Sequence, residues 1–145
     1  MPLWLIFHPD DTFEDDTSKE ALASDITAHY VNVGLPAFYV TVNFIKMSGN
    51  TMYVGGKILP KDKPFIRVSV DHIAVTLPNQ DSVYERTANN LNALLKPHIA
   101  DKGYDWQFHV DQTERRLWRI NGMVPPPFRS EEEKIWAKEN KAVPL

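Results

Sequence analysis

The chain has no cysteine among its 145 residues, which excludes disulfide scaffolds, thiolate metal centres and cysteine nucleophiles and suits a reducing, cytoplasmic location. It also lacks any apolar run approaching the roughly eighteen residues of a membrane-spanning helix, so no membrane partner is expected. The first apolar stretch has no basic start and is cut short at His8-Pro9-Asp10-Asp11, unlike a secretion signal. Positive charge is not in excess either. The formal net charge is -3, whereas nucleic-acid binding normally needs a basic surface, so no nucleic-acid partner is expected. The five histidines (His8, His29, His72, His98 and His109) show no ligand spacing, and no metal site is expected. There is no G-x-S-x-G elbow and no phosphate loop, so no cofactor is implied. What is present is 43% hydrophobic and 24% charged residues, the balance of one soluble globular domain over 1–145, together with 11 prolines.

Patterning along the chain predicts two similar units. Leu3 to Phe7 reads as a short buried strand. Thr17-Ser18-Lys19-Glu20 has capping-box spacing, and Leu22, Ile26, Tyr30 and Val33 follow at helical spacing until Gly34-Leu35-Pro36 stops the helix. Phe38 to Ile45 is β-branched and aromatic, a second strand. After a short arm at Met52-Tyr53-Val54 ending in Gly55-Gly56, Phe65 to Val70 alternates apolar and polar residues as a strand does. Ser82-Val83-Tyr84-Glu85 repeats the capping spacing before a helix with Val83, Leu91 and Leu94 or Leu95 on its stripe, and Tyr104 to Val110 is the last strand.

The two β-α-β units, about 2–46 and 64–111, place corresponding elements about 62 to 66 residues apart, with no letter-for-letter repeat. Right-handed crossovers lay both helices on one face of a four-stranded sheet, giving an α+β fold. The other face needs something to pack on, so oligomerisation is expected. The tail over 112–145 carries Met123-Val124-Pro125-Pro126-Pro127-Phe128, then a helix-prone stretch from Ser130 to Lys138 with Trp136. It is too apolar to hang free and should dock on its own or a neighbouring subunit. The acidic runs at Asp10-Asp11, Glu14-Asp15-Asp16 and Glu131-Glu132-Glu133 read as a solvated loop and two helix N-termini.

Pro2 is the most informative residue. Initiator methionine is generally removed before proline, which would leave a secondary amine at the start of a buried strand. Apolar and cationic surroundings disfavour its ammonium form, making the free base available for proton transfer or nucleophilic attack. His29 lies at the edge of the first helix's apolar stripe, where a lone histidine is ordinarily a packing residue. Arg67 sits on the polar face of a central strand, where it either lines a site or pairs across a subunit interface.

Pro2 at the head of a double β-α-β chain resembles the tautomerase superfamily, specifically its long-chain branch near the cis-3-chloroacrylic acid dehalogenases. The resemblance spans Pro2 to about Pro127. His29 stands where that branch has a substrate-binding histidine. Val42-Asn43-Phe44, Tyr53-Val54-Gly55-Gly56 and Asp105-Trp106-Gln107-Phe108 match its strands and hairpin, with Phe108 at a functional tyrosine. Met1-Pro2-Leu3-Trp4 and Arg119-Ile120-Asn121-Gly122 look most like the fungal-type tautomerases of the branch. Two departures stand out. The dehalogenases carry two carboxylate-holding arginines where this chain reads Asp71-His72-Ile73-Ala74-Val75, leaving His72 as a weaker donor. Their water-activating glutamate falls near Arg119, with Glu114 five residues earlier.

The resemblance therefore implies a homotrimeric enzyme without a cofactor, acting on a small carboxylate-bearing substrate. Pro2 would move a proton in an enol or α-keto acid, with Arg119, His29, His72 and Arg67 as carboxylate and dienolate partners and Phe108 lining the site. The alternatives are a hydratase or dehalogenase in which Glu114 activates water, and a non-catalytic binding protein of the same fold.

Overall fold

The structure is a computed structural model that describes residues 1–72 and 75–145, so Ile73 and Ala74 of the expected arginine-free segment lie outside the described residues. Its centre is a four-stranded sheet built from β1 (Leu3–Pro9), β2 (Thr41–Met47), β5 (Phe65–His72) and β6 (Asp105–Gln112), in the order β2-β1-β5-β6. β1 runs parallel to β2, β5 runs parallel to β6, and the central pair β1 and β5 is antiparallel. Each parallel pair is joined by a helix, α1 (Asp16–Asn32) or α2 (Asp81–Leu95), because parallel neighbours need a crossover. Between the units, β3 (Tyr53–Val54) and β4 (Lys57–Ile58) form a separate hairpin. Its bend is Gly55-Gly56, both at positive φ (+60° and +77°), as a two-residue hairpin turn requires.

Strand alternation separates the two faces. Trp4, Ile6, Ile66, Val68 and Val70 are buried against Leu22, Ile26 and Tyr30 of α1 and Leu91 and Leu95 of α2. The opposite face carries Leu3, Leu5, Phe7, Phe65 and Arg67, all only half-buried in the single chain. Both helices thus cover one face, as the patterning predicts. The chain after β6 does not hang free. Its helix α3 (Glu131–Glu139) buries Trp136, whose indole N–H donates to the Val143 carbonyl (2.8 Å), while Asn140 Oδ1 accepts from the Phe38 amide (3.0 Å). The tail docks on its own subunit.

Several local expectations are corrected. The cap of α1 is Asp15, whose carboxylate accepts from the Ser18 amide, so the Thr17 box lies inside the first turn. At α2 the cap is Gln80, without a side-chain bond. Residues Ala37–Tyr39 form a 3-10 turn, the Tyr39 and Val40 amides donating to the Pro36 and Ala37 carbonyls instead of to a ladder, and β2 begins only at Thr41. The Glu131-Glu132-Glu133 run does open a helix, α3, as its charge suggests, but Glu133 is not turned to solvent. It is 1% exposed, turned inward on the same helix face as Trp136.

Candidate active site

The antiparallel register places Leu3 opposite Asp71, and one further step brings Pro2 level with His72, at the end of β5. Both are buried and lie on the helix-covered side of the sheet. α1 runs back along β1, so its last turn, with His29 and Tyr30, ends above the same point. The Trp4 indole N–H donates to Tyr30 Oη (3.1 Å), and Tyr30 Oη lies 3.4 Å from His72 Nδ1. The His29 ring stands edge-on to Tyr30, with centroids 5.1 Å apart. His29, Tyr30 and His72 share a cavity of about 200 Å³ with Val75, Asn90 and Phe128.

The electrostatics of this corner are those of a site that rejects added positive charge. The chain's amine, here on Met1, is brought down from 8.0 to about 4, first by burial and then by the Arg115 cation. His72 is likewise lowered to about 4, by burial, then by the amine's charge and then by His29. Burial lowers His29 as well. The amine thus feels Arg115, His72 feels the amine and His29, and burial keeps these titratable groups neutral. Pro2 itself presents its carbonyl to the Thr41 amide (3.0 Å), which pins the head of the chain to β2.

Arg115 is the functional candidate that sequence reasoning missed. It stands in a 3-10 turn (Arg115–Leu117) just after β6, with its guanidinium 5.3 Å from the Trp118 ring centroid. It donates to the carbonyls of Pro125 and Pro126, so the proline run of the tail holds it. The buried Glu133 carboxyl is raised by burial and lowered by the Arg129 amide and by the Arg115 cation, which places α3 within the field of the same guanidinium. The only sequence signal was its position beside Glu114, in the segment the register left open.

The other expected site residues lie elsewhere. Glu114 is exposed, caps the 3-10 turn and pairs with Arg116 (2.9 Å), whose hydrogen bonds hold its carboxyl at about 2. Arg119 is exposed and folds back onto the carbonyls of Arg116 and Trp118. Arg67 lies on the open face, donating to His109 Nδ1 (2.6 Å), while His109 Nε2 is 3.1 Å from Asp111. Phe108 stacks on Trp106 with centroids 5.8 Å apart and lines a separate groove between α2 and β6 with Tyr84 and Thr87.

A family model described as "Putative oxalocrotonate tautomerase enzyme" matches residues 1–141. No curated protein matches. Among solved structures, native RhCC from Rhodococcus jostii RHA1 is 43% identical with a TM-score of 0.91, the match covering 99% of each chain. A protein from the thermophilic fungus Aspergillus fumigatus, described as "a probable enzyme", is 40% identical with a TM-score of 0.90, covering 100% of this chain and 98% of that one. N1, a member of the cis-3-chloroacrylic acid dehalogenase family, shares the fold at 16% identity and a TM-score of 0.62, over 95% of this chain and 97% of its own. With a family match over nearly its whole length and relatives at 43% and 40% identity, the chain belongs to this oxalocrotonate tautomerase family of the tautomerase superfamily.

Proposed function

We propose that the protein is an N-terminal-proline isomerase that ketonises or isomerises a small carboxylated enol or α-keto acid. The observation that carries this reading is the convergence of a depressed amine, His29, His72 and Arg115 at one end of the sheet. Removal of Met1 transfers the amine to Pro2, one position closer to the buried strand. A neutral secondary amine in that environment takes a proton from an enol oxygen or an activated carbon and returns it to a neighbouring carbon. Arg115 supplies the fixed cation for the substrate carboxylate, and His29 and His72 supply neutral donors for charge developing on the dienolate.

Isomerisation is favoured over water addition by the state of Glu114. A carboxylate held at about 2 by Arg116 is a weak base, poorly suited to activating water. The half-buried apolar residues on the open sheet face support assembly into a homotrimer; one fused 4-OT relative of like fold, 17% identical over 84% of this chain and 94% of that one (TM-score 0.63), is described as a symmetric trimer. No described helix is long and apolar enough to cross a membrane, and the cysteine-free composition supports a cytoplasmic setting.

The test is ketonisation of phenylenolpyruvate and 2-hydroxymuconate by Met1-free protein and by Pro2→Ala, which keeps an amine but makes it primary and unconstrained. The proposal expects a loss of about 10²-fold or more in kcat/KM for the variant. Equal background rates for the two proteins overturn it.

A further inference from the structure

The buried hydrogen-bond chain Trp4–Tyr30–His72 has a direction, and that direction has a chemical consequence. Trp4 Nε1 can only donate, so at 3.1 Å it occupies a lone pair of Tyr30 Oη. Tyr30 is 1% exposed and Trp4 is 0% exposed, so the phenol's own proton needs a partner inside the protein. The one acceptor recorded against it among the described residues is His72 Nδ1, at 3.4 Å. If Nδ1 carried the ring proton instead, one buried hydroxyl would face two donors and leave its own hydrogen unplaced, an arrangement that costs a desolvated donor.

We propose that Tyr30 is a positioning residue that holds His72 as the Nε2–H tautomer, so that this ring meets the cavity as a neutral donor with a fixed orientation. Geometry beyond the hydrogen bonds supports this. Tyr30 and His72 rings lie 5.4 Å apart at 50°, and Trp4 stands edge-on to Tyr30 at 6.5 Å, so the three rings brace one another. The last turn of α1, the start of β1 and the end of β5 are thereby locked together at the point where the amine sits. The charged and titratable groups acting on His72 are the chain's amine and His29, both of which oppose its protonation, so the neutral ring is the species whose tautomer matters.

The value of this arrangement to catalysis rests on the isomerase reading, but the tautomer does not. A ring locked with its N–H at Nε2 can stabilise a developing enolate oxygen without first having to gain a proton. A ring free to exchange tautomers would spend part of its time presenting a lone pair to that oxygen.

The experiment is two-bond ¹H–¹⁵N correlation NMR of the full-length protein, labelled at histidine, with His72 assigned by its disappearance in His72→Gln. The expected result is a single neutral His72 pattern with protonated Nε2 and bare Nδ1, persisting below neutral pH. In Tyr30→Phe, which keeps the ring and deletes the hydroxyl, that pattern is expected to give way to exchanging tautomers. On the isomerase reading the same variant loses about tenfold in kcat with a smaller change in KM. An Nδ1–H pattern in the unmodified protein overturns the proposal, as does a Tyr30→Phe variant with unchanged His72 resonances. Should Tyr30→Phe not fold, the wild-type spectrum alone decides the tautomer. If no isomerase activity is found, the NMR result still stands or falls by itself, so the two failures are distinguishable.

Discussion

Acid should destabilise this protein in a way that can be assigned to His72. A free imidazole titrates near 6.5, whereas the 9%-exposed His72 ring is lowered to about 4, by burial first and then by the chain's amine and His29. The folded-state value is the lower one, so on acidification the unfolded chain binds the proton first. Stability is therefore intact above about pH 6.5 and is lost progressively between pH 6.5 and about 4, at up to about 1.36 kcal/mol per pH unit, or roughly 3 kcal/mol in all. The amine adds a contribution of the same sign that begins earlier, below 8.0, because burial and Arg115 bring it to about 4. The two groups repel each other, so their contributions do not simply sum. Urea unfolding at constant protein concentration, repeated between about pH 7.5 and about pH 4.5, measures the effect. His72→Gln should unfold with a visibly shallower acid dependence than wild type, while His8, also lowered chiefly by burial, contributes equally to both. A His72→Gln variant that loses as much stability on acidification as wild type, within about 1 kcal/mol, refutes the picture of a ring kept neutral by its surroundings.

Three further outcomes follow from the same contacts. Trp136→Ala removes an indole that is 1% exposed, packs against Phe38 and Tyr39 and donates to Val143; it should cost about 3–5 kcal/mol in urea unfolding, against almost nothing for the exposed Val124→Ala. Asp15→Ala should cost about 1 kcal/mol by the same measurement, because the Ser18 amide loses its cap. Arg115→Gln should raise KM for a carboxylate substrate at least tenfold and move the ascending limb of the kcat/KM pH profile upward, since one of the two causes depressing the amine is gone.

The architecture was legible because it rests on local chemistry that one sequence displays. The β-branched runs, the helical stripes at Leu22-Ile26-Tyr30 and Leu91-Leu95, and the paired glycines at 55–56 each specify their own element. The antiparallel junction of β1 with β5 is not displayed by the sequence; it lets both crossover helices cover one face while the two units extend outward in opposite directions. The site was legible in part. Pro2, His29 and His72 stand out in the sequence as candidates, the register sets Pro2 level with His72, and His29 shares a cavity with His72. Arg115 was not, because a spacing argument anchored on Trp106 says nothing about how a 3-10 turn rotates successive side chains: Glu114 and Arg116 face solvent and pair, while Arg115 turns inward onto the prolines. Tyr30 looked like core because it lies on the apolar stripe, and only the positions of Trp4 and His72 reveal the use of its hydroxyl. The inward turn of Glu133 was hidden for a related reason. A triple-glutamate run marks the start of a helix but does not show that a docking surface covers one of its three positions.

The central claim is that the free amine of Pro2, in the corner formed by His29, His72 and Arg115, moves the proton. Its most direct test is to measure, on the same preparations, the fraction of chains lacking Met1 by intact-mass spectrometry and the kcat for phenylenolpyruvate ketonisation. The account predicts that kcat rises in proportion to the processed fraction and vanishes when every chain keeps Met1, because the proline nitrogen is then an amide with no basic lone pair. Full activity in Met1-retaining protein would contradict it.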